Sequence, residues 1–473
     1  MVRLKTVLPA LLLLLTNQLF AQGKAVITGK IAKPLSDVVE LVMRPNPLIP
    51  EEKSLQAELQ GNTFRIEVPL QGAMVAELLH GNELVPVYLE PGYELSLSFN
   101  GDKFLRTLKY TGKGGNENNY LATYTTRFED EEDYQVLPDN IKLKEEEFTA
   151  FLDYRRNDQL KSLDKYAGKN PVSDTFRNFL LAEVEFSYAK DKLRYHPLRQ
   201  QILQVALTKP SPAFYTYLDK LDMQRPANLV SPAFVRFLQE YGIHYAQEAG
   251  YTEKDATYYK VAYSTVSQKL QGQAKLLAQA HILKQSIKSG HLQYTEQMLQ
   301  DFTTTNKDAA VNAYLQQQHD ANKAFAIGSE APDFKYKNLA GDTVSLSSFK
   351  GQLVYLSFWR SDCSLCYVEQ PHLEQLAVKF KGQKIVFLNV FISDNEQKWR
   401  KSAQGKDLQG EQAFVSITQQ EELIANYKLE DMPAYFLVDA EGRFISQKAR
   451  HPNDREAAND LAGHLQTRQA SAK

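Results

Sequence analysis

Leu353-Val354-Tyr355-Leu356-Ser357-Phe358-Trp359-Arg360-Ser361-Asp362-Cys363-Ser364-Leu365-Cys366-Tyr367-Val368-Glu369-Gln370-Pro371 reads as a strand, a short loop and the first turns of a helix. The run Leu353 to Phe358 is strand-like, and Leu365, Val368, His372, Leu373, Leu376 and Phe380 then recur at spacings of three and four. Between the two runs stand the only two cysteines of the 473 residues, spaced Cys-x-x-Cys. The first cysteine thus lies near a helix N-terminus, where free N–H groups and the dipole favour its thiolate. At an unperturbed pKa of about 8.5 only about 3% of a thiol is ionised at pH 7, and lowering the pKa to ~7 gives roughly half.

A purely structural disulfide would close a loop with two residues between its cysteines, and so would remove little entropy from the unfolded chain. Tetrahedral zinc needs further ligands, and neither a second cysteine pair nor a paired histidine follows at ligand spacing. Redox chemistry at Cys363 and Cys366 is the reading that uses the motif and its context together.

Composition sets the frame. With 43% hydrophobic and 24% charged residues the chain is an ordinary globular one, long enough for two to four domains. A net charge of −2, from 55 basic and 57 acidic residues, argues against a nucleic-acid binder. Arg3 and Lys5 precede an apolar run from Val7 to Leu15, and Ala21 offers a cleavage point, which predicts a signal peptide over residues 1–21. That run is shorter than the ~20 residues needed to span a bilayer, so no membrane span is expected after signal removal. Export to a periplasm follows as the expected localisation.

Residues 22–115 predict an all-β sandwich of seven or eight short strands. Within it, Val87 to Leu89, the turn Glu90-Pro91-Gly92 and Tyr93 to Phe99 read as a hairpin, and Phe104 to Tyr110 as a further alternating strand. Residues 116–326 predict an all-α region, with Phe176, Phe179, Leu180, Val184 and Tyr188 on one helical face. Two echoes, Ser211-Pro212-Ala213-Phe214 and Ser231-Pro232-Ala233-Phe234, each read as a helix start with a serine cap and proline in the first turn. Residues 327–473 alternate strands and helices around the cysteine pair, an α/β pattern.

Residues 327–466 resemble the TlpA/ResA-type family of periplasmic thioredoxin-like thiol–disulfide oxidoreductases. The resemblance is carried by Ala331-Pro332-Asp333-Phe334, Leu346 to Gly351, Phe358-Trp359, Cys363-x-x-Cys366, Glu369, Pro371, Met432-Pro433 and Asp439 to Gly442. It implies a thioredoxin fold, with Cys363 as exposed nucleophile, Cys366 as resolving thiol and Glu369 as the acid that shuttles protons. Pro433 is then the cis-proline facing the disulfide, and Met432 and Trp359 lie on the substrate side. Protein thiols and disulfides of the cell envelope are the implied partners, with a membrane electron donor as a further candidate; no organic cofactor or metal is implied. Ahead of this region, the β-sandwich resembles the front domain of many exported relatives.

Two residues depart from the family pattern. Asp362 stands where an aromatic residue is common, and Ser357 where a buried carboxylate or amide is common, which shifts the proton work toward Glu369. Two other readings compete. A peroxiredoxin shares the Ala-Pro-Asp-Phe opening but needs Thr or Ser three residues before its cysteine and Pro seven before, where this chain has Arg360 and Leu356. Alternatively, the first 300 or so residues are a docking module for an envelope partner or glycan, with the redox domain auxiliary. A carboxylate at Asp362 opposes the helix dipole. Replacing Asp362 with Asn is therefore expected to lower the Cys363 pKa, read from thiolate absorbance against pH; an unchanged value means the carboxylate points elsewhere.

Overall fold

The structure, a computed structural model, describes residues 23–205, 210–360, 363–393, 395–403 and 409–471. The predicted signal segment 1–21 and Asp362 lie outside the described residues. Two compact units form, one from residues through Tyr195 together with Pro212–Phe234, the other from His196–Ser211 and Val235 onward. Residues 116–326 are therefore apportioned between the two units in packing.

The first unit holds β1 (Gly23–Ala32), β2 (Val38–Met43), β3 (Lys53–Glu58), β4 (Thr63–Leu70), β5 (Met74–His80), β6 (Glu83–Leu89), β7 (Glu94–Asn100) and β8 (Lys109–Lys113). They make two four-stranded sheets, β4-β1-β7-β8 and β3-β2-β5-β6. Strict alternation explains the architecture: in β4, Phe64, Ile66, Val68 and Leu70 are buried while the residues between them are exposed. Inward residues of both sheets share one core, which makes the sandwich.

Two local expectations change. The Glu90-Pro91-Gly92 turn does not close a hairpin; it carries the chain from β6 in one sheet to β7 in the other, where β7 runs parallel to β1. The corner is held by Gly92 N–H donating to Lys24 O at 2.8 Å, and by the Tyr88 and Tyr93 hydroxyls, each donating to Glu90 Oε1 at 3.0 Å. Periodicity specifies which face a residue takes, not which strand it pairs with. The second change is at Phe104–Thr107, a short helix α1 rather than strand. Phe104 packs on Phe99 with ring centroids 4.2 Å apart, and Thr107 Oγ1 accepts from Asn100 N while donating to Lys103 O, which closes the turn.

Helices α2 (Gly115–Thr125), α3 (Glu145–Ala167) and α4 (Asp174–Leu203) follow. The predicted face of α4 joins the sandwich core through Phe176, Phe179, Leu180 and Val184. Of the two Ser-Pro-Ala-Phe echoes, only the second starts an α-helix, α5 (Pro232–Glu248); the first leads into a 3₁₀ turn, Thr216–Lys220. Ser231 Oγ accepts from Phe234 N at 3.1 Å, and the Glu183 carboxylate accepts from Ala233 N at 2.9 Å, an anion where the helix dipole favours one. At the first echo Thr216 Oγ1 donates back to Ala213 O at 2.9 Å, and a tight turn wins over a helix.

In the second unit α6 (Tyr258–Lys269), α7 (Gly272–Lys288), α8 (Thr295–Thr305) and α9 (Ala309–Asn322) precede the α/β region. That region runs β9 (Lys335–Lys337), β10 (Thr343–Ser345), β11 (Leu353–Arg360), α10 (Ser364–Lys379), β12 (Ile385–Ile392), α11 (Glu396–Ala403), β13 (Glu411–Val415), α12 (Ile417–Tyr427), β14 (Ala434–Val438), β15 (Phe444–Ser446) and α13 (Ala457–Ser471). The sheet order is β10-β9-β13-β12-β11-β14-β15, with β11 parallel to β12 and antiparallel to β14. Central β11 is buried on both faces. Val354, Leu356 and Phe358 meet Tyr427 and Phe436 on one side; Leu353 and Tyr355 meet Leu373, Leu376 and Phe380 of α10 and Leu461 of α13 on the other. A sheet covered by helices on both faces, with the cysteine pair after its central strand, is the thioredoxin fold. Phe325 closes over Phe436 and Phe444, and Ile327 N donates to Gly290 O at 2.9 Å, so the preceding helices belong to the same body. No helix among the described residues is long and apolar enough to cross a membrane.

Buried Asn118 ties α2 to the sandwich. Its Oδ1 accepts from Tyr88 N at 2.8 Å, and its Nδ2 donates to Tyr88 O and Gly114 O, both at 2.9 Å. Asn118→Ala strands a buried N–H and a buried carbonyl, and is expected to destabilise the first unit by about 2–4 kcal/mol. Urea unfolding followed by far-UV circular dichroism checks this.

Candidate active site

Because β11 ends at Arg360 and α10 begins at Ser364, Cys363 becomes the N-cap residue of α10. Its Sγ accepts from Cys366 N at 3.0 Å and is disulfide-bonded to Cys366, with Cα atoms 5.3 Å apart. Cys363 is half-buried and Cys366 is buried. The first turn of α10 differs from its predicted apolar face. Leu373, Leu376 and Phe380 are buried, but Leu365, between the two cysteines, and Val368 are 49% and 62% exposed.

Trp359 is half-buried against Phe391, ring centroids 4.5 Å apart, and Met432 and Pro433 are half-buried with a cis bond between them. Trp359, Pro433 and Cys366 line one small cavity of about 20 Å³ together with Ser357, Asn389 and Tyr435. Three of these, with Gln412, form a row across four strands. Ser357 pairs in register with Tyr435 on β14 and Asn389 on β12, and Asn389 pairs with Gln412 on β13. Ser357 Oγ donates to Asn389 Oδ1 at 2.8 Å, so the amide missing from the Ser357 position stands one strand away.

Glu369, one turn beyond Cys366, is only 2% exposed. Its Oε2 accepts from the Tyr435 hydroxyl at 2.7 Å, and its Oε1 accepts from His451 Nδ1 at 2.8 Å. Burial alone would raise the Glu369 pKa; the bonds from His451 and Tyr435 and the charges of His451 and His372 outweigh it and hold the carboxyl below its ordinary 4.5. The bond to Glu369 lifts His451 above its ordinary 6.5 against burial, aided by the charges of Glu369 and Asp454.

The model of the AhpC/TSA family matches residues 327–446. Among curated proteins, the thiol–disulfide oxidoreductase ResA of Bacillus thuringiensis is 30% identical over 121 residues, 26% of this chain and 68% of the relative. ResA of Geobacillus kaustophilus is 32% identical over 120 residues, 25% of this chain and 67% of the relative. The chain belongs to the ResA family of thiol–disulfide oxidoreductases. Of solved structures, the thioredoxin domain of a Bacteroides vulgatus thiol–disulfide oxidoreductase aligns at 28% identity with TM-score 0.28, covering 30% of this chain and 98% of that one.

In this ResA-type domain the residues that sequence reasoning missed are Tyr435, His451, Asn389 and Gln412. Tyr435 lies two residues after Pro433, and a hydroxyl within the otherwise apolar run Ala434–Val438 was a usable signal. His451 lies 82 residues from Glu369, in a loop with no motif.

The pair gives a pH signature. His451, with its pKa raised by folding, contributes stability that is complete below 6.5 and fades as pH climbs through the raised value. Glu369, with its pKa lowered, contributes stability complete above 4.5 and lost as pH falls through the lowered value. The stability difference between wild type and His451→Gln is therefore expected to be largest between these two ordinary values and to shrink toward pH 9. Urea titrations at a series of pH values measure it; a pH-independent difference contradicts the pairing.

Proposed function

We propose that the protein is an exported thiol–disulfide oxidoreductase that exchanges disulfides with client proteins of the cell envelope through Cys363 and Cys366. The observation that carries this is the placement of Cys363 Sγ at the N-terminus of α10, 3.0 Å from Cys366 N, with its partner sulfur buried behind it. An N–H aimed at that sulfur stabilises a thiolate there, so in the reducing direction the Cys363 thiolate attacks a client disulfide, one client sulfur leaves as a thiolate, and the other is held in the mixed disulfide. Cys366 then attacks Cys363, the Cys363–Cys366 bond re-forms, and the client leaves with the electron pair as a thiolate.

Support for a protein client comes from the exposed Leu365 between the two cysteines, an apolar contact that suits an extended segment. Met432 would offer its backbone to that segment, with Pro433, which lacks an N–H, beside it and Trp359 bounding the cavity. Glu369 would take the proton that Cys366 must lose. The apolar run beside Arg3 and Lys5 supports export to the periplasm.

Trapping tests the assignment. Cys366→Ser is expected to accumulate long-lived mixed disulfides between Cys363 and client proteins, visible on non-reducing gels, whereas Cys363→Ser accumulates none. Equal trapping by the two variants would reverse or abolish the division of roles.

A further inference from the structure

A buried carboxylate that accepts a proton must also get rid of it, and the groups around Glu369 lead outward in one direction. On the inner side, Tyr435 borders the same cavity as Cys366, and its hydroxyl donates to Glu369 Oε2 at 2.7 Å. That cavity of about 20 Å³ has room for one water. On the outer side, His451 Nδ1 stands 2.8 Å from Oε1, and its side chain is 49% exposed against 3% for Glu369. The ring is held edge-on to Tyr435 at 5.0 Å between centroids. Its loop is fixed by Tyr355 Oη donating to Arg450 O at 2.6 Å and by the Arg450–Asp454 ion pair at 2.7 Å.

Resting on the reading of Glu369 as the proton acceptor, we infer that His451 is the solvent-side end of a proton relay running Cys366, Tyr435, Glu369, His451, and that it keeps the buried pair electrically neutral while Cys366 ionises. The starting state is a Cys366 thiol, a Tyr435 phenol, a Glu369 carboxylate and a His451 imidazolium. The Cys366 S–H bond breaks, and its proton passes through one cavity water to Tyr435 Oη as the phenol hands its own proton to Glu369 Oε2. Tyr435 stays a neutral phenol throughout, in keeping with burial that drives its hydroxyl far above the ordinary 10. Glu369, now neutral, no longer holds the imidazolium, which releases its Nε2 proton to water. The products are a Cys366 thiolate, a phenol, a carboxylic acid and a neutral imidazole, with one proton delivered to solvent. The Glu369–His451 pair carries no net charge before (carboxylate and imidazolium) or after (acid and imidazole), so the new charge is confined to the Cys366 thiolate.

The charged and titratable groups that face this pair are His372 on α10, Tyr355 on β11, and Arg450 and Asp454 on the histidine's own loop. Arg450 and Asp454 pair with each other, His372 is exposed, and His451 is the one of these groups that hydrogen-bonds Glu369 among the described residues. His451 is thus a positioning residue that acts through Glu369. Glu374, the carboxylate that lines the cavity itself, is the rival acceptor.

The resolving step can be isolated with 5,5′-dithiobis(2-nitrobenzoate). The reduced full-length protein releases one thionitrobenzoate as Cys363 reacts and a second as Cys366 attacks the mixed disulfide. The rate of the second release is followed from pH 5 to 9. Wild type is expected to vary little between pH 6 and 8. His451→Gln, which keeps a hydrogen-bond donor, is expected to be about tenfold slower at pH 7 and to rise with pH as unaided thiol ionisation takes over. Tyr435→Phe should follow the same profile, and added imidazole should restore the rate of His451→Ala. Overlay of the His451→Gln and wild-type profiles, with Glu369→Gln still slow, overturns the relay and leaves the acceptor reading intact. Overlay of Glu369→Gln as well removes the acceptor reading itself. A slow step in Glu374→Gln alone also overturns the relay, since the proton then leaves by the other wall.

Discussion

Glu369 is a carboxylate taken out of water by folding, and its desolvation must be offset by hydrogen bonds or by loss of the charge. Much of the C-terminal architecture can be understood from that requirement. The α10 helix delivers the side chain because Glu369 lies one turn after Cys366 on the face turned to the sheet. Strand β14 supplies Tyr435 because its antiparallel register with β11 sets Tyr435 opposite Ser357. The stretch after β15 supplies His451, and Ala449 N donating to Tyr435 O at 2.9 Å fastens that stretch to the same strand. Three separate segments thus meet at one carboxylate. Removing any one partner leaves a buried charge short of a hydrogen bond, which costs more than the bond itself contributes when made.

The cysteine pair, the strand before it and the helix after it were legible because they are local: a buried run, a loop and a 3.6-residue period within a few turns. The sandwich was legible at the level of faces, since alternation in strands such as Thr63–Leu70 has one solution. Pairing was not, and the Glu90-Pro91-Gly92 corner shows why, because a turn that joins two sheets has the same residues as a turn that joins two strands of one. The Ser211 and Ser231 echoes make a related point. Four identical residues begin a helix only where Glu183, far away in sequence, reaches the start, and local propensity is too weak to decide alone. His451 was invisible for the same reason: it is brought to Glu369 by a contact between residues 82 apart in sequence.

The row Tyr435, Ser357, Asn389 and Gln412 runs against the apolar pattern of a central sheet, and such breaks of local rule gather at functional sites. Its chemistry is specific. The Ser357 hydroxyl donates a hydrogen bond to Asn389 Oδ1, and Asn389 Nδ2 donates to Gln409 O at 3.4 Å. Hydroxyl and amide groups orient dipoles beside Cys366 without storing charge, so this wall can solvate a nascent thiolate but cannot keep its proton. A carboxylate at position 357 would have placed a negative charge in the row and opposed ionisation of the adjacent thiol. With Ser357 instead, the row is uncharged, and the buried carboxylate of Glu369 is hydrogen-bonded by Tyr435 and countered by His451. The departure at Ser357 and the histidine at 451 bear on different groups: the first keeps charge out of the strand row beside Cys366, and the second gives the buried Glu369 carboxylate a hydrogen bond and a counter-charge.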